Sequence, residues 1–296
     1  MPRPTDLHFT SQGLRCAGTL MRPPRVKRPP LIIMAHGFAA ERGFRLPAFA
    51  ERFVAIGFAV FLFDYRNFGG SEGEPRHWVD PWRHHEDWRA ALAFMQARDD
   101  IDRERIVLWG SSFSGGHVLQ IASERPRIAA VISQVPHVDG LATLRQMPLK
   151  QVIQGTVAGV RDTLGRLVGR PHYVPVVGRP GSFAAMTTPE TYDGWFAIVP
   201  EDSQWQNRVL GRAFLGVPLY SPIRRAHRIE VPTLIIAGSD DSITPPAAAR
   251  KAAAKIPDAE FHCLSTNHFQ PYVGEAFEVN IDLQIDFLQR RVLKAP

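Results

Sequence analysis

A serine among small residues is the strongest candidate for chemistry in this sequence. Ser112 lies in residues 109–116 (WGSSFSGG), where an apolar run is followed directly by residues of helical character. A serine held in such a strand-to-helix turn has a strained backbone, and small residues two positions to either side let the turn close. Gly110 and Ser114 fill those two positions. The segment therefore predicts that Ser112 is a nucleophile.

Two later loops supply the groups that a serine nucleophile requires. A hydroxyl needs a base to take its proton, and the base needs an acid to orient it. Asp240 and Asp241 follow the apolar run 233–237, and either of them could be the acid. His268 follows the run 260–264 and comes last, in the order serine, acid, histidine. We predict that His268 is the base.

The remaining histidines do not suggest a metal site. His84 and His85 are adjacent, so on a helix they point about 100° apart, and we interpret them as part of a solvated helix face. His117 and His262 are predicted to be packing residues within a helix and a strand. We expect neither a metal nor a cofactor.

The elements that must position these residues are short apolar runs separated by segments of helical spacing. Runs without alternation are typical of strands buried on both faces, as in a parallel sheet. They lie at residues 31–35, 58–63, 105–109, 128–135 and 233–237. Residues 7–20 predict two antiparallel strands around Gly13. The fold class is therefore α/β, with a doubly wound, mostly parallel sheet of about eight strands flanked by helices.

The alternation breaks once, which predicts an inserted helical cap at residues 137–228 in a core formed by residues 1–136 and 229–296. The clearest helix of the cap is 147–169. Its apolar stripe comprises Leu149, Val152, Ile153, Val157, Val160, Leu164, Leu167 and Val168. We expect most of this stripe to pack the cap onto the sheet.

Other cap residues are candidates for contact with substrate or with a second subunit. The candidates for substrate contact are His172, Tyr192, Trp195 and Trp205. Glycines that could permit close helix contact, and with it a homodimer, are Gly155, Gly159, Gly165 and Gly169.

Charge and composition narrow the partners. The 296 residues include 35 basic and 29 acidic side chains, a net charge of +6. Residues 141–228 carry eleven basic and five acidic side chains, so the whole excess lies in the predicted cap. This distribution argues against nucleic acid and leaves an anionic substrate or surface as an interpretation. No apolar run approaches the roughly 20 residues of a membrane span, and the first residues lack the apolar core of a signal peptide. We expect a cytoplasmic protein.

Four blocks resemble the α/β-hydrolase superfamily over essentially the whole chain. His36-Gly37-Phe38 resembles its oxyanion loop, residues 64–71 (DYRNFGGS) resemble its D-x-R-x-x-G-x-S turn, and the Ser112 turn resembles its nucleophile elbow. The fourth block, G-x-x-D-x-I-x-P at 238–245 followed by His268, resembles its acid and histidine segments. The resemblance selects Asp241 as the acid, with Asp139 in reserve.

The resemblance also implies an oxyanion hole formed by the backbone N–H groups of Phe38 and Phe113. It implies a serine hydrolase that cleaves carboxylic esters through an acyl-enzyme intermediate. The apolar and basic residues of the predicted cap suggest a small-molecule substrate with an apolar or an anionic group. Two alternatives stay open: a peptidase or amidase similar to the prolyl peptidases, and a catalytically silent scaffold that acts as a binding protein.

Overall fold

The computed structural model describes residues 4–294 and contains one large sheet and one small one. The strands are β1 (Thr5–Ser11), β2 (Leu14–Met21), β3 (Pro30–Ala35), β4 (Ala59–Phe63), β5 (Asp102–Ser111), β6 (Ala130–Gln134), β7 (Tyr173–Val174), β8 (Val209–Leu210), β9 (Thr233–Gly238) and β10 (Ala259–Leu264). The large sheet has the order β1-β2-β4-β3-β5-β6-β9-β10. In this sheet β2 is antiparallel to β1 and to β4, and the other five neighbouring pairs are parallel. The predicted fold class is confirmed.

Helices cover both faces of the large sheet. They are α1 (Leu46–Ala55), α2 (Pro81–Gln96), α3 (Phe113–Ala122), α4 (Gly140–Leu144), α5 (Leu149–Arg166), α6 (Thr191–Phe196), α7 (Ala213–Gly216), α8 (Pro246–Ala253) and α9 (Gly274–Leu288). Helix α1 packs against α9, and α2 packs against α3. Every residue of β3, β4 and β9 is buried, as the uninterrupted apolar runs predict. None of the helices within residues 4–294 is long and apolar enough to cross a membrane.

The insertion between β6 and β9 contains α4 to α7, several single helical turns and a short ribbon. In the ribbon, β7 pairs with β8 in antiparallel register. The sequence predicts helices here but not this ribbon. Its strands have two residues each and lie about 35 positions apart, so no local alternation of apolar and polar residues indicates them.

The orientation of α5 differs from the prediction. Its buried residues are Gly155, Ala158, Gly159 and Asp162. Seven members of the apolar stripe face outward, and we call this surface the α5 apolar face: Leu149, Ile153, Val157, Val160, Leu164, Leu167 and Val168. The expectation that most of the stripe packs the cap onto the sheet is therefore wrong.

The glycines of α5 explain this orientation. A Cβ atom at Gly155 would lie 2.6 Å from the ring of Phe214, and one at Gly159 would lie 2.6 Å from the side chain of Leu215. The helix thus packs against Phe214 and Leu215 of the same chain through its glycines. The predicted role of Gly155 and Gly159 in contact with a second subunit is wrong, because these contacts are already made within the chain.

The paired histidines of α2 are buried, not solvated. Ring nitrogens of His84 and His85 lie 3.2 Å and 3.1 Å from ring nitrogens of His117 on α3, and His117 Nδ1 lies 2.8 Å from the hydroxyl of Tyr220. Burial lowers the pKa of His85 to about 3, so this imidazole is neutral near pH 7. The face of α2 that carries these residues packs on α3, while Trp82 is exposed.

Candidate active site

Ser112 lies at the junction between β5 and α3. Its backbone has φ 57° and ψ −119°, a conformation that non-glycine residues rarely adopt. A Cβ atom at Gly110 would lie 2.2 Å from the carbonyl oxygen of Ser114, so only glycine fits two positions before the nucleophile. Ser114 itself is buried and accepts a hydrogen bond from the Tyr65 hydroxyl at 3.0 Å. The turn holds the Ser112 side chain at the carboxyl edge of the sheet.

His268 and Asp241 meet Ser112 at this edge. His268 Nε2 lies 3.0 Å from Ser112 Oγ, and His268 Nδ1 lies 2.7 Å from Asp241 Oδ2. Asp241 comes from the loop after β9, and His268 comes from the loop after β10, next to it in the sheet. The three predicted residues therefore form one continuous chain of hydrogen bonds.

The protonation of this chain follows from the surroundings of Asp241. Its Oδ1 accepts hydrogen bonds from the backbone N–H groups of Ile243 at 2.9 Å and Thr244 at 2.7 Å. Burial acts to raise the pKa of Asp241, but attraction to His268 and these hydrogen bonds outweigh it, and the pKa is lowered. An ionised Asp241 can only accept, so His268 Nδ1 must donate. His268 Nε2 is then free to accept the proton of Ser112.

The two alternative acids have other roles. Asp139 caps α4 by accepting hydrogen bonds from the N–H groups of Leu141 and Ala142, at 3.1 Å and 3.3 Å. Asp240 is exposed and accepts a hydrogen bond from the Ser239 hydroxyl. Among the three aspartates, only Asp241 contacts His268.

The loop after β3 approaches the nucleophile closely. A Cβ atom at Gly37 would lie 3.0 Å from Ser112 Cβ and 3.4 Å from its Oγ, so the backbone before Phe38 passes directly beside the serine. Phe113 begins α3, and the first N–H groups of a helix have no partner within it. Both predicted oxyanion donors therefore belong to backbone segments that adjoin Ser112.

A buried histidine and a buried carboxylate support this loop. Asp64 accepts hydrogen bonds from the backbone N–H groups of Arg42 and Gly70, and it pairs with the Arg42 guanidinium. His36 is packed edge-on against Tyr65, and burial lowers its pKa to about 4. A neutral, enclosed His36 fits a bracing role, in line with the resemblance, and not proton transfer at Ser112.

Two cavities adjoin Ser112. The larger, about 300 Å³, lies between residues of the strand ends and the insertion between β6 and β9. Its lining includes Met147, Val152, Met186, Phe214, Val217 and Ile243. The smaller, about 30 Å³, is lined by residues that include Gly37, Trp195 and His268. Neither lining contains an aspartate, glutamate, lysine or arginine. Phe214 and Met186 come from segments without regular spacing, so no sequence pattern identifies them as lining residues.

The four predicted substrate contacts differ in their positions. Trp195 is buried and lines the smaller cavity. Trp205 packs against Trp195 with the two rings tilted, and it donates its indole N–H to the carbonyl oxygen of Ala39 at 2.8 Å. His172 and Tyr192 line neither cavity. The structure therefore brings only Trp195 to the candidate site directly.

Comparison with known proteins supports one family. A family model described as serine aminopeptidase, S33, matches residues 27–168. The quorum-quenching protein AidA of Acinetobacter baumannii is 41% identical over 98% of this chain and 95% of its own length. The thiohydrolase aneE of Aspergillus aculeatus is 30% identical over 95% of this chain and 91% of its own length.

A solved structure shows the same fold. The α/β hydrolase GrgF from Penicillium sp. sh18 superimposes with a TM-score of 0.83, at 23% identity, over 98% of this chain and 99% of that chain. The matches to AidA, aneE and GrgF extend over nearly the whole chain. They are consistent with the sheet order and the strand-to-helix turn described above. The chain belongs to the α/β-hydrolase superfamily.

Proposed function

We propose that this hydrolase cleaves carboxylic esters with Ser112 as nucleophile, His268 as general base and acid, and Asp241 as the residue that orients His268. The observation that carries the proposal is the pair of contacts at His268, 3.0 Å to Ser112 Oγ and 2.7 Å to Asp241 Oδ2. Both distances are within the range for proton transfer between positioned groups. A catalytically silent scaffold would not require a strained serine within hydrogen-bonding distance of a buried base that in turn contacts a buried acid.

The reaction has two halves. Ser112 Oγ attacks the ester carbonyl carbon while its proton passes to His268 Nε2, and the carbonyl oxygen becomes an oxyanion that the N–H groups of Phe38 and Phe113 stabilise. The C–O bond to the alcohol breaks, His268 delivers the proton to the alcohol, and the acyl group stays on Ser112. Water then attacks the acyl-enzyme, gives its proton to His268, and releases the carboxylic acid as the proton returns to Ser112. Each oxyanion donor contributes about 3 kcal/mol in the transition state.

The substrate in this proposal has a neutral, apolar acyl group. The larger cavity adjoins Ser112, is bounded by the cap at residues 137–228, and has no charged lining residue. His137 also lines it, and burial lowers the pKa of His137 to about 4, so it offers no positive charge near pH 7. An anionic group would lose its hydration there without gaining a counter-charge. Of the two substrate types that the sequence suggests, the apolar one fits.

The names of similar proteins differ in the activity they describe. One relative is named a thiohydrolase, another a quorum-quenching protein, and the matching family model carries the name of an aminopeptidase. One observation disfavours aminopeptidase activity: neither cavity lining contains a carboxylate to bind a free peptide amino group.

A substrate panel tests the proposal. The protein should hydrolyse p-nitrophenyl esters of apolar acids, and Ser112→Ala should reduce kcat by at least about 1000-fold while circular dichroism and thermal unfolding stay as in wild type. Aminoacyl and prolyl anilides should be turned over poorly. Turnover of the anilides but not of the esters would contradict the proposed esterase activity and indicate a peptidase.

A further inference from the structure

The α5 apolar face is unusual because it is continuous and uncovered. Its seven side chains are 45% to 81% exposed, and they account for half of the fourteen large apolar side chains that are exposed within residues 4–294. Single exposed apolar residues are ordinary, whereas contiguous patches mark surfaces that bind something. Five of its members lie on α5, a helix of 18 residues and about 27 Å, and Leu167 and Val168 lie in the turn that follows it.

The face also lies opposite the side by which α5 is anchored. At about 100° per residue, the five members within α5 fall within a sector of about 80°. The centre of the buried set, Gly155, Ala158, Gly159 and Asp162, lies on the other side of the helix. The intramolecular packing of α5 is therefore complete without the apolar face. Nothing in the described part of the chain covers it.

The charges around the face have one sign. The exposed charged residues between positions 141 and 170 are Arg145, Lys150, Arg161, Arg166 and Arg170. The only acidic residue of that segment, Asp162, is buried in an ion pair with Arg212. Lys150 and Arg161 border the apolar face on the helical wheel. This places uncompensated positive charge beside an exposed apolar strip.

We propose that the α5 apolar face binds the surface of an anionic lipid bilayer. A helix of this kind lies in the plane of the bilayer interface, with its apolar side chains among the acyl chains and its basic side chains among the headgroups. Charge complementarity favours this occupant. A second copy of the chain packed on the same face would bring basic residues together, whereas anionic headgroups neutralise them. Neither cavity lining is charged, so the net positive charge of residues 141–228 has no role at the site. Attraction to anionic headgroups gives that charge a role.

Vesicle cosedimentation tests the proposal with the whole 296-residue chain. Wild type should bind vesicles of phosphatidylglycerol, bind vesicles of phosphatidylcholine at least tenfold more weakly, and lose binding as salt is raised. The double variant Val157→Asp/Leu164→Asp should bind phosphatidylglycerol at least tenfold more weakly. Lys150→Gln and Arg161→Gln should each weaken binding about fivefold, since each basic residue near the surface contributes about 1 kcal/mol. Ser112→Ala should bind as wild type does, which separates docking from catalysis.

A matched control uses an apolar side chain exposed elsewhere. Val279 on α9 is 50% exposed, and Val279→Asp should leave vesicle binding unchanged. Thermal unfolding of every variant checks that the fold is intact. Absence of wild-type binding to phosphatidylglycerol vesicles, or equal binding by the double variant, would overturn the proposal. A dimer that the double variant dissociates, without vesicle binding by wild type, would assign the face to a second copy.

Discussion

Replacement of Asp241 by asparagine tests how the site fixes the proton on His268. The Asp241 Oδ1 atom accepts two backbone hydrogen bonds, from Ile243 and Thr244. In Asp241→Asn the amide oxygen must keep this position, because an NH₂ group there would face two N–H donors. The amide NH₂ is then directed at His268 Nδ1. A donor at that place forces His268 Nδ1 to accept, and the ring proton moves to Nε2.

The magnitude follows from that tautomer. A His268 that carries its proton on Nε2 points a donor at Ser112 Oγ, 3.0 Å away, and cannot take the serine proton. The expected loss is about 10⁴-fold in kcat, or about 5 kcal/mol of transition-state stabilisation, the scale found where a triad aspartate becomes asparagine. The fold should stay intact because both backbone hydrogen bonds remain.

Steady-state hydrolysis of a p-nitrophenyl ester measures this loss. Asp139→Asn and Asp240→Asn are the matched controls, and each should keep kcat within about twofold, since an asparagine still caps α4 and position 240 is exposed. A loss below about tenfold for Asp241→Asn, or a large loss for either control, would refute the assignment of the acid.

Three further outcomes are expected. Gly110→Ala should lower the free energy of unfolding in urea by about 3 kcal/mol, because its Cβ would lie 2.2 Å from a backbone carbonyl oxygen; unchanged stability would contradict the packing of the elbow. Val152→Phe should reduce kcat/KM for long acyl esters about tenfold relative to acetyl esters, while Val157→Phe, which faces outward, should leave that ratio unchanged. Burial lowers the pKa of His36 and of His137 to about 4, so below pH 6.5 the unfolded chain binds more protons. Stability should therefore fall from pH 6.5 toward pH 4, by about 2 kcal/mol for each histidine at pH 5 in urea unfolding; a flat profile would show that these histidines titrate alike in both states.

The sequence predicts the parts of the candidate site that lie at strand ends. Parallel strands bring their carboxyl ends to one edge, so a serine after one apolar run, an aspartate after another and a histidine after a third are placed together by topology alone. Choosing Asp241 over Asp139 and Asp240 needed more than the residue pattern. The structure distinguishes them by their contacts, since Asp139 caps α4 whereas Asp241 Oδ2 lies 2.7 Å from His268 Nδ1.

The cap was harder to predict because its helices pack on segments that are distant in sequence. Periodicity identifies an apolar stripe on α5, but it does not show which face is buried. Gly155 and Gly159 allow Phe214 and Leu215 to approach more closely than the branched side chains of the stripe would. The prediction that His84 and His85 on α2 are solvated is wrong for a similar reason. Their burial against α3 depends on a tertiary contact that helical spacing does not indicate.

The central claim is that Ser112 is the nucleophile, and a fluorophosphonate probe tests it most directly. The probe should form one covalent adduct, and peptide mass spectrometry should map it to Ser112 rather than to its neighbours Ser111 and Ser114. Ser112→Ala should abolish the adduct, and Asp241→Asn should slow its formation. Labelling that persists in a folded Ser112→Ala variant, or an adduct mapped to another serine, would contradict the account.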